Sequence, residues 1–199
     1  MGHNGVVKNW LLGRRTPLAS APDLEVDEEL RHIVLVGGSL IEWQDLGAEA
    51  WSARVDDLGK AAKSLGARFV SVFPFGPFSG DETVDASTFE RRTTIDGVAI
   101  VVVPVTDGRK RICDVLASSG ATSLTEHDID DLIFGESGEP DLVVVLGSPD
   151  LLPSSLVWEL AYSEIVFVDS AWNDFSVDHI VRAGDEYHSR HRRFGGVDA

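Results

Sequence analysis

Four groups of residues in this chain have types and spacings that could do chemistry. Arg190, Arg192 and Arg193 stand together just ahead of Gly195-Gly196. Guanidinium forks grip carboxylates and phosphates through paired hydrogen bonds; the plainer reading is that cations favour the C-terminal end of a last helix. His188 and His191 lie three apart on a predicted helix with Asp185 nearby, two potential metal ligands that need a third from elsewhere. Gly37-Gly38 follows an apolar run as a phosphate loop would, but neither G-x-G-x-x-G nor G-x-x-x-x-G-K-[ST] is present. Ser39 lies outside any G-x-S-x-G elbow, and no Ser-His-Asp set stands out. Generic motifs thus leave both a nucleotide site and a serine nucleophile unsupported.

The elements that must position these residues follow from hydrophobic pattern. Nearly continuous β-branched runs bounded by Gly, Pro and Asp predict strands at Ile33–Gly37, Phe69–Pro74, Val98–Val105, Leu142–Leu146 and Ile165–Val168. Such runs suit a sheet covered on both faces. Helical periodicity falls at 47–65, 108–118, 126–133, 154–162 and 176–190, with Thr125 and Ser176 as N-caps. Residues 13–29, 74–96 and 135–140 are rich in Pro, Gly or acidic residues and predict loops. Strand–helix alternation of this kind predicts an α/β fold, a single domain with a mostly parallel sheet flanked by helices. A chain of 199 residues supports one such core. Its expected extent is 31–199, preceded by an N-terminal helix and linker over 1–30.

Composition removes several function classes. Thirty-three acidic against seventeen basic residues give a net charge of −16, which opposes nucleic-acid binding because phosphate affinity depends on cation density. No apolar run is long enough to span a membrane, and the N-terminus lacks a secretory h-region. The single cysteine, Cys113, excludes an internal disulfide and fits a reducing, cytoplasmic setting. One membrane signal remains. Trp10-Leu11-Leu12, beside Lys8, Arg14 and Arg15, could lie on a membrane surface as a peripheral contact, although a terminal helix docked on protein is the simpler reading.

Three stretches together resemble the cis-prenyltransferases, the undecaprenyl and dehydrodolichyl diphosphate synthases. Arg31-His32-Ile33-Val34-Leu35-Val36-Gly37-Gly38-Ser39-Leu40-Ile41-Glu42-Trp43 is similar to that family's first strand, its Asp-Gly-Asn-Gly-Arg phosphate loop and the following Trp. Pro140-Asp141-Leu142 through Asp150 resembles its Pro-Asp-Leu-x-x-Arg-Thr-Gly-Gly-Glu stretch. The match from Leu156 to Gly196 is the closest in detail. It takes in Trp158, Ala161-Tyr162-Ser163-Glu164, Asp169, Trp172, Asp174-Phe175 and Arg192-Arg193-Phe194-Gly195-Gly196.

The resemblance also marks what is missing. The family's magnesium-binding aspartate falls on Gly38 and its phosphate-binding arginine on Glu42. The arginines and serine that clamp isopentenyl diphosphate fall on Val145, Leu151 and Pro153. Gly offers no side-chain ligand to Mg²⁺, which must neutralise the leaving diphosphate, and Val and Leu cannot replace a guanidinium fork. Glu164 corresponds to the family's second magnesium carboxylate, close to metal or to a subunit interface; alone it makes no Mg²⁺ site. Arg193 and Gly195 match the C-terminal Arg-x-Gly motif, which in that family crosses the dimer interface to bind diphosphate in the neighbouring subunit.

This pattern resembles the noncatalytic, Nogo-B-receptor-type subunits of heteromeric enzymes. It implies an activating subunit that supplies Arg193 and Gly195 in trans. A catalytic cis-prenyltransferase partner would hold most of the Mg²⁺ coordination and condense isopentenyl diphosphate onto an allylic diphosphate. Two copies could form a homodimer when that partner is absent, because the family interface is isologous. Two rivals stand beside this expectation. One is a stand-alone enzyme with altered prenyl diphosphate chemistry, using Glu42, Asp45 and Glu164. The other is a noncatalytic regulator that binds a prenyl lipid or a protein.

Overall fold

The structure, a computed structural model, describes residues 29–121 and 123–194, with backbone alone for residues 191–194. Six strands form one sheet in the order β3-β4-β2-β1-β5-β6. They are β1 His32–Val36, β2 Phe69–Phe73, β3 Arg91–Ile95, β4 Val98–Val102, β5 Leu142–Leu146 and β6 Glu164–Val168. All pairings are parallel except β3 with β4. The five strands expected from apolar runs are all present. β3 is an addition within the segment read as a loop.

The period-two alternation of each strand sorts its side chains between two cores. Ile33, Leu35, Val70, Val72, Ile100, Val102, Leu142 and Val144 face one way. Against them pack α2 (Ala48–Ser64), through Trp51, Val55, Leu58, Ala61 and Ala62, and α5 (Val177–Phe194), through Ile180, Ala183 and Tyr187. Val34, Val36, Phe73, Val143 and Val145 face the other way, toward Leu156, Leu160, Ile165 and Phe167. On that side run α3 (Gly108–Ser119) and α4 (Glu126–Phe134). Burial on both faces is why the central strands read as unbroken apolar runs.

Helix starts follow local chemistry. The Thr125 hydroxyl accepts from the Asp128 N–H while the Asp128 carboxylate accepts from the Thr125 N–H, a closed capping box. α5 begins directly after Ser176, whose N–H donates to His179 Nδ1. A short helix, α1 (Leu40–Asp45), follows β1.

The expected helix over 154–162 is absent: the segment is a chain of turns. Its polar groups are drawn into tertiary bonds instead. The Ser154 carbonyl accepts from the Gly108 N–H, the Ser155 hydroxyl donates to the Pro74 carbonyl, and the Glu159 carboxylate pairs with Arg111. The 1–30 helix and linker lie outside the described residues up to position 28, as does the membrane-facing stretch around Trp10.

Candidate functional site

The loop joining β1 to α1 falls where the resemblance locates the family's Asp-Gly-Asn motif. Two of its backbone donors, the Ser39 and Ile41 N–H groups, are taken by the chain's own carboxylates. Glu42 Oε2 accepts from the Ser39 N–H at 2.8 Å and from the Ser39 hydroxyl at 3.1 Å, and the Ser39 hydroxyl accepts from the Glu42 N–H at 3.1 Å. This is the reciprocal box that satisfies a helix start internally. A second carboxylate completes it. Asp81, only 6% exposed, accepts from the Ile41 N–H at 3.3 Å through Oδ1 and from the Phe78 N–H at 3.0 Å through Oδ2. The Ser39 and Ile41 N–H groups, two donors an incoming anion would need, are therefore already engaged by carboxylate oxygens.

Gly38 is closed in a second way. Its φ is +69°, and a Cβ there would lie 2.7 Å from Trp172 Cγ and 3.0 Å from Trp172 Cβ. Trp172 is fixed on several sides. Its ring lies 5.5 Å from that of Trp43 and 5.8 Å from that of Trp51, and Phe175 stacks on it at 6.3 Å. The Arg54 guanidinium sits 4.6 Å from the Trp172 ring centre and donates to its carbonyl at 2.6 Å. Trp43, expected after the phosphate loop, is buried and donates its indole N–H to the Gly37 carbonyl at 3.0 Å. These tryptophans build core.

The second expected phosphate region is equally changed. Val145 is fully buried in β5, where an arginine would be a buried cation without a phosphate to meet. Leu151 is 62% exposed and Pro153 is buried. Asp141, from the Pro-Asp-Leu stretch, instead ties strands together. Its Oδ2 accepts from the Arg31 and His32 N–H groups, both at 2.8 Å, and its own N–H donates to the His32 carbonyl.

Glu164 opens β6 and pairs with Arg190 Nη1 at 3.2 Å; Arg190 Nη2 also holds Glu186. Arg193 lies in the last turn of α5. Its side chain and Gly195 lie outside the described residues. Among the described residues, no three or more His, Cys, Asp or Glu side chains converge as metal ligands. Glu42, Asp45 and Glu164 are therefore not gathered into a metal-binding set. The described residues do not fit Mg²⁺: Gly38 has no ligand, Glu42 and Asp81 are spent on backbone N–H groups, and Glu164 faces a cation. Also among the described residues, no helix is long and apolar enough to cross a membrane.

The sequence reading missed Asp81, which reaches α1 from 40 residues away, and the buried pair Arg111–Glu159, 48 residues apart. Neither has a local pattern that could have exposed it.

The fold is a six-stranded, mostly parallel α/β sheet with a capped loop after its first strand and a long C-terminal helix, α5, packed on one face. The chain belongs to the undecaprenyl diphosphate synthase family: the family model described as "Putative undecaprenyl diphosphate synthase" matches residues 85–195. An isoprenyl transferase of Listeria monocytogenes serotype 4b (strain F2365) is 39% identical over 83 residues, 41% of this chain and 33% of that protein. The farnesyl-diphosphate-specific ditrans,polycis-undecaprenyl-diphosphate synthase of Micrococcus luteus is 32% identical over 111 residues, 51% of this chain and 45% of that one. The chain thus spans from about a third to under half the length of these curated relatives. The crystal structure of a "probable undecaprenyl diphosphate synthase" from Campylobacter jejuni superposes with a TM-score of 0.55 and 16% identity, covering 84% of this chain and 99% of that one, which establishes the shared fold.

Proposed function

We propose that this chain is a noncatalytic, activating subunit of a heteromeric cis-prenyltransferase. The observation that carries the reading is the self-occupied loop after β1. Glu42 and Asp81 engage its Ser39 and Ile41 N–H groups, and Trp172 fills the space a Gly38 side chain would need. A diphosphate brought there would meet carboxylate oxygens, and like charges at close range repel strongly where water is excluded. The buried Val145 removes a second phosphate contact.

What this chain offers a partner lies at its C-terminal end. Arg193 falls in the last turn of α5, and an arginine fork followed by glycine suits diphosphate binding across an interface. Apolar side chains left exposed between residues 151 and 162, namely Leu151, Leu152, Val157 and Tyr162, give a catalytic homologue surface to cover. In the composite site the partner holds Mg²⁺ and performs the condensation of isopentenyl diphosphate with an allylic diphosphate.

The test is coexpression with a complete homologue, using Arg193→Ala in this chain. The expected result is an intact complex by size-exclusion chromatography with polyprenyl synthesis reduced by about a hundredfold, the scale for losing a charged transition-state contact. An unchanged rate in an intact complex contradicts the role given to Arg193.

A further inference from the structure

The sheet face away from α2 and α5 carries a cavity of ≈ 90 Å³, bounded by β1, β2 and β4 beneath and by α3 and α4 above. Val34, Phe73, Val101, Val103, Ile133 and Phe134 form apolar walls. Two arginines reach it from different elements, Arg111 from α3 and Arg92 from the edge strand β3.

The donors and charges in this cavity are unevenly committed. Arg111 pairs with Glu159, which is 2% exposed, and lies 5.1 Å from the Phe73 ring centre. Its Nε–H is buried and has no acceptor, a state that disfavours the empty cavity because an unmet buried donor keeps its desolvation penalty. Burial pushes the Arg111 guanidinium down to about 10, still well above neutral, so it remains charged. Arg92 has no hydrogen-bond or ion-pair partner among the described residues. The other polar groups are already engaged. His32 Nδ1 donates to the Gly138 carbonyl at 2.9 Å, which leaves Nε2 to accept from the Ser71 hydroxyl at 2.9 Å. Burial holds the His32 imidazole below its ordinary value, so it adds no charge at neutral pH. The Ser137 hydroxyl donates to the Phe134 carbonyl. Two cations therefore stand against one carboxylate, and the free donors belong to the arginines. In a chain of net charge −16, this local positive excess is against the trend.

We propose that the cavity between Arg92 and Arg111 binds a small oxyanion, a carboxylate or a phosphate carrying at most a short apolar substituent. Planar guanidinium groups recognise both anions through the same paired geometry. Glu159 holds Arg111 in place and trims the charge to suit a singly charged ligand. Phe73 and the surrounding valines accept a short aliphatic tail. This inference is independent of the subunit reading and holds whether or not a catalytic partner is bound.

The experiment follows the arginine Nε–Hε resonances of the ¹⁵N-labelled full chain during separate titrations with sodium phosphate and sodium butyrate, with sodium chloride as the ionic-strength control. The expected result is a saturable shift at Arg111 Hε with a Kd of about 1 mM or tighter for at least one probe. The probe that saturates identifies the source as inorganic phosphate or organic acid. Arg92→Gln, at an exposed position, should leave the spectrum of the fold unchanged and weaken binding about tenfold or more. Arg111→Gln alone strands a buried carboxylate, so the paired variant Arg111→Gln/Glu159→Gln serves as the second probe; it should abolish binding, read at the remaining Arg92 resonance, while the chain stays folded. A shift that chloride reproduces, no saturation by either probe up to about 10 mM, or equal affinity in Arg92→Gln overturns the proposal.

Discussion

Restoring the family's aspartate by Gly38→Asp should unfold this chain's loop rather than rebuild a metal site. The backbone at Gly38 has φ +69°, a region where a side chain costs on the order of 1 kcal/mol. The new Cβ would lie 2.7 Å from Trp172 Cγ, and overpacking of a well-filled core typically costs about 1–3 kcal/mol. Trp172 has little freedom to retreat, because Trp43, Trp51, Phe175 and Arg54 hold it on several sides. The two terms give a loss of roughly 2–4 kcal/mol, a large part of a typical domain's stability. With a urea dependence of about 2 kcal/mol per molar, the midpoint should fall by roughly 1–2 M. The assay is urea denaturation followed by tryptophan fluorescence, with Gly38→Ala alongside. Alanine meets the same clash and tolerates positive φ less well than aspartate, so it should lose at least as much. If both variants unfold within about 0.3 M of the parent chain, Trp172 yields easily and the loop is open to a side chain. If only aspartate destabilises, charge rather than space is the obstacle.

Two further outcomes follow from the residues that organise the sheet. Asp141→Ala should cost about 1–3 kcal/mol, because the Arg31 and His32 N–H groups lose their shared acceptor; Asp141→Asn, which keeps one oxygen, should cost less, and equal losses for the two would contradict the hydrogen-bond account. Burial, the largest influence on His32, lowers its pKa, so the unfolded chain takes up a proton near pH 6.5 before the folded chain does. The resulting stability is complete above that pH and declines as pH falls below it, by up to about 1.4 kcal/mol per pH unit. His32→Asn should therefore show a shallower loss of unfolding free energy between about pH 6.5 and 5, and an unaltered slope would refute the assignment.

The fold was legible where burial acts through the local pattern. Strands such as Leu142–Leu146 and Phe69–Phe73 are covered on both faces and so appear as short apolar runs. β3 was hidden because Arg91, Arg92 and Thr94 are exposed polar residues on an edge strand. Its one usable signal was Asp96-Gly97, with φ of 51° and 89°, the pair that a two-residue hairpin turn requires. The 154–162 segment misled in the opposite direction. Its apolar spacing suits a helix, but Ser155 and Glu159 are spent on partners across the domain, and long-range bonds outweighed propensity.

The candidate site divides along the same line. Glycine at the aspartate position and glutamate at the arginine position are departures from the resembled motif that the sequence itself displays. That Glu42 and Asp81 engage the Ser39 and Ile41 N–H groups was not legible, because Asp81 arrives from a distant 3₁₀ turn. Glu164 stood out as a candidate carboxylate, yet its engagement by Arg190 depends on how α5 lies along β6.

The most direct measurement is incorporation of radiolabelled isopentenyl diphosphate in the presence of farnesyl diphosphate and Mg²⁺. The samples are this chain alone, a complete homologue alone, and the two coexpressed and purified together. The account predicts negligible product from this chain alone and a large rise in synthesis for the pair over the homologue alone. Turnover by the isolated chain would contradict it, because Glu42 and Asp81 already engage the Ser39 and Ile41 N–H groups that a diphosphate bound there would draw on.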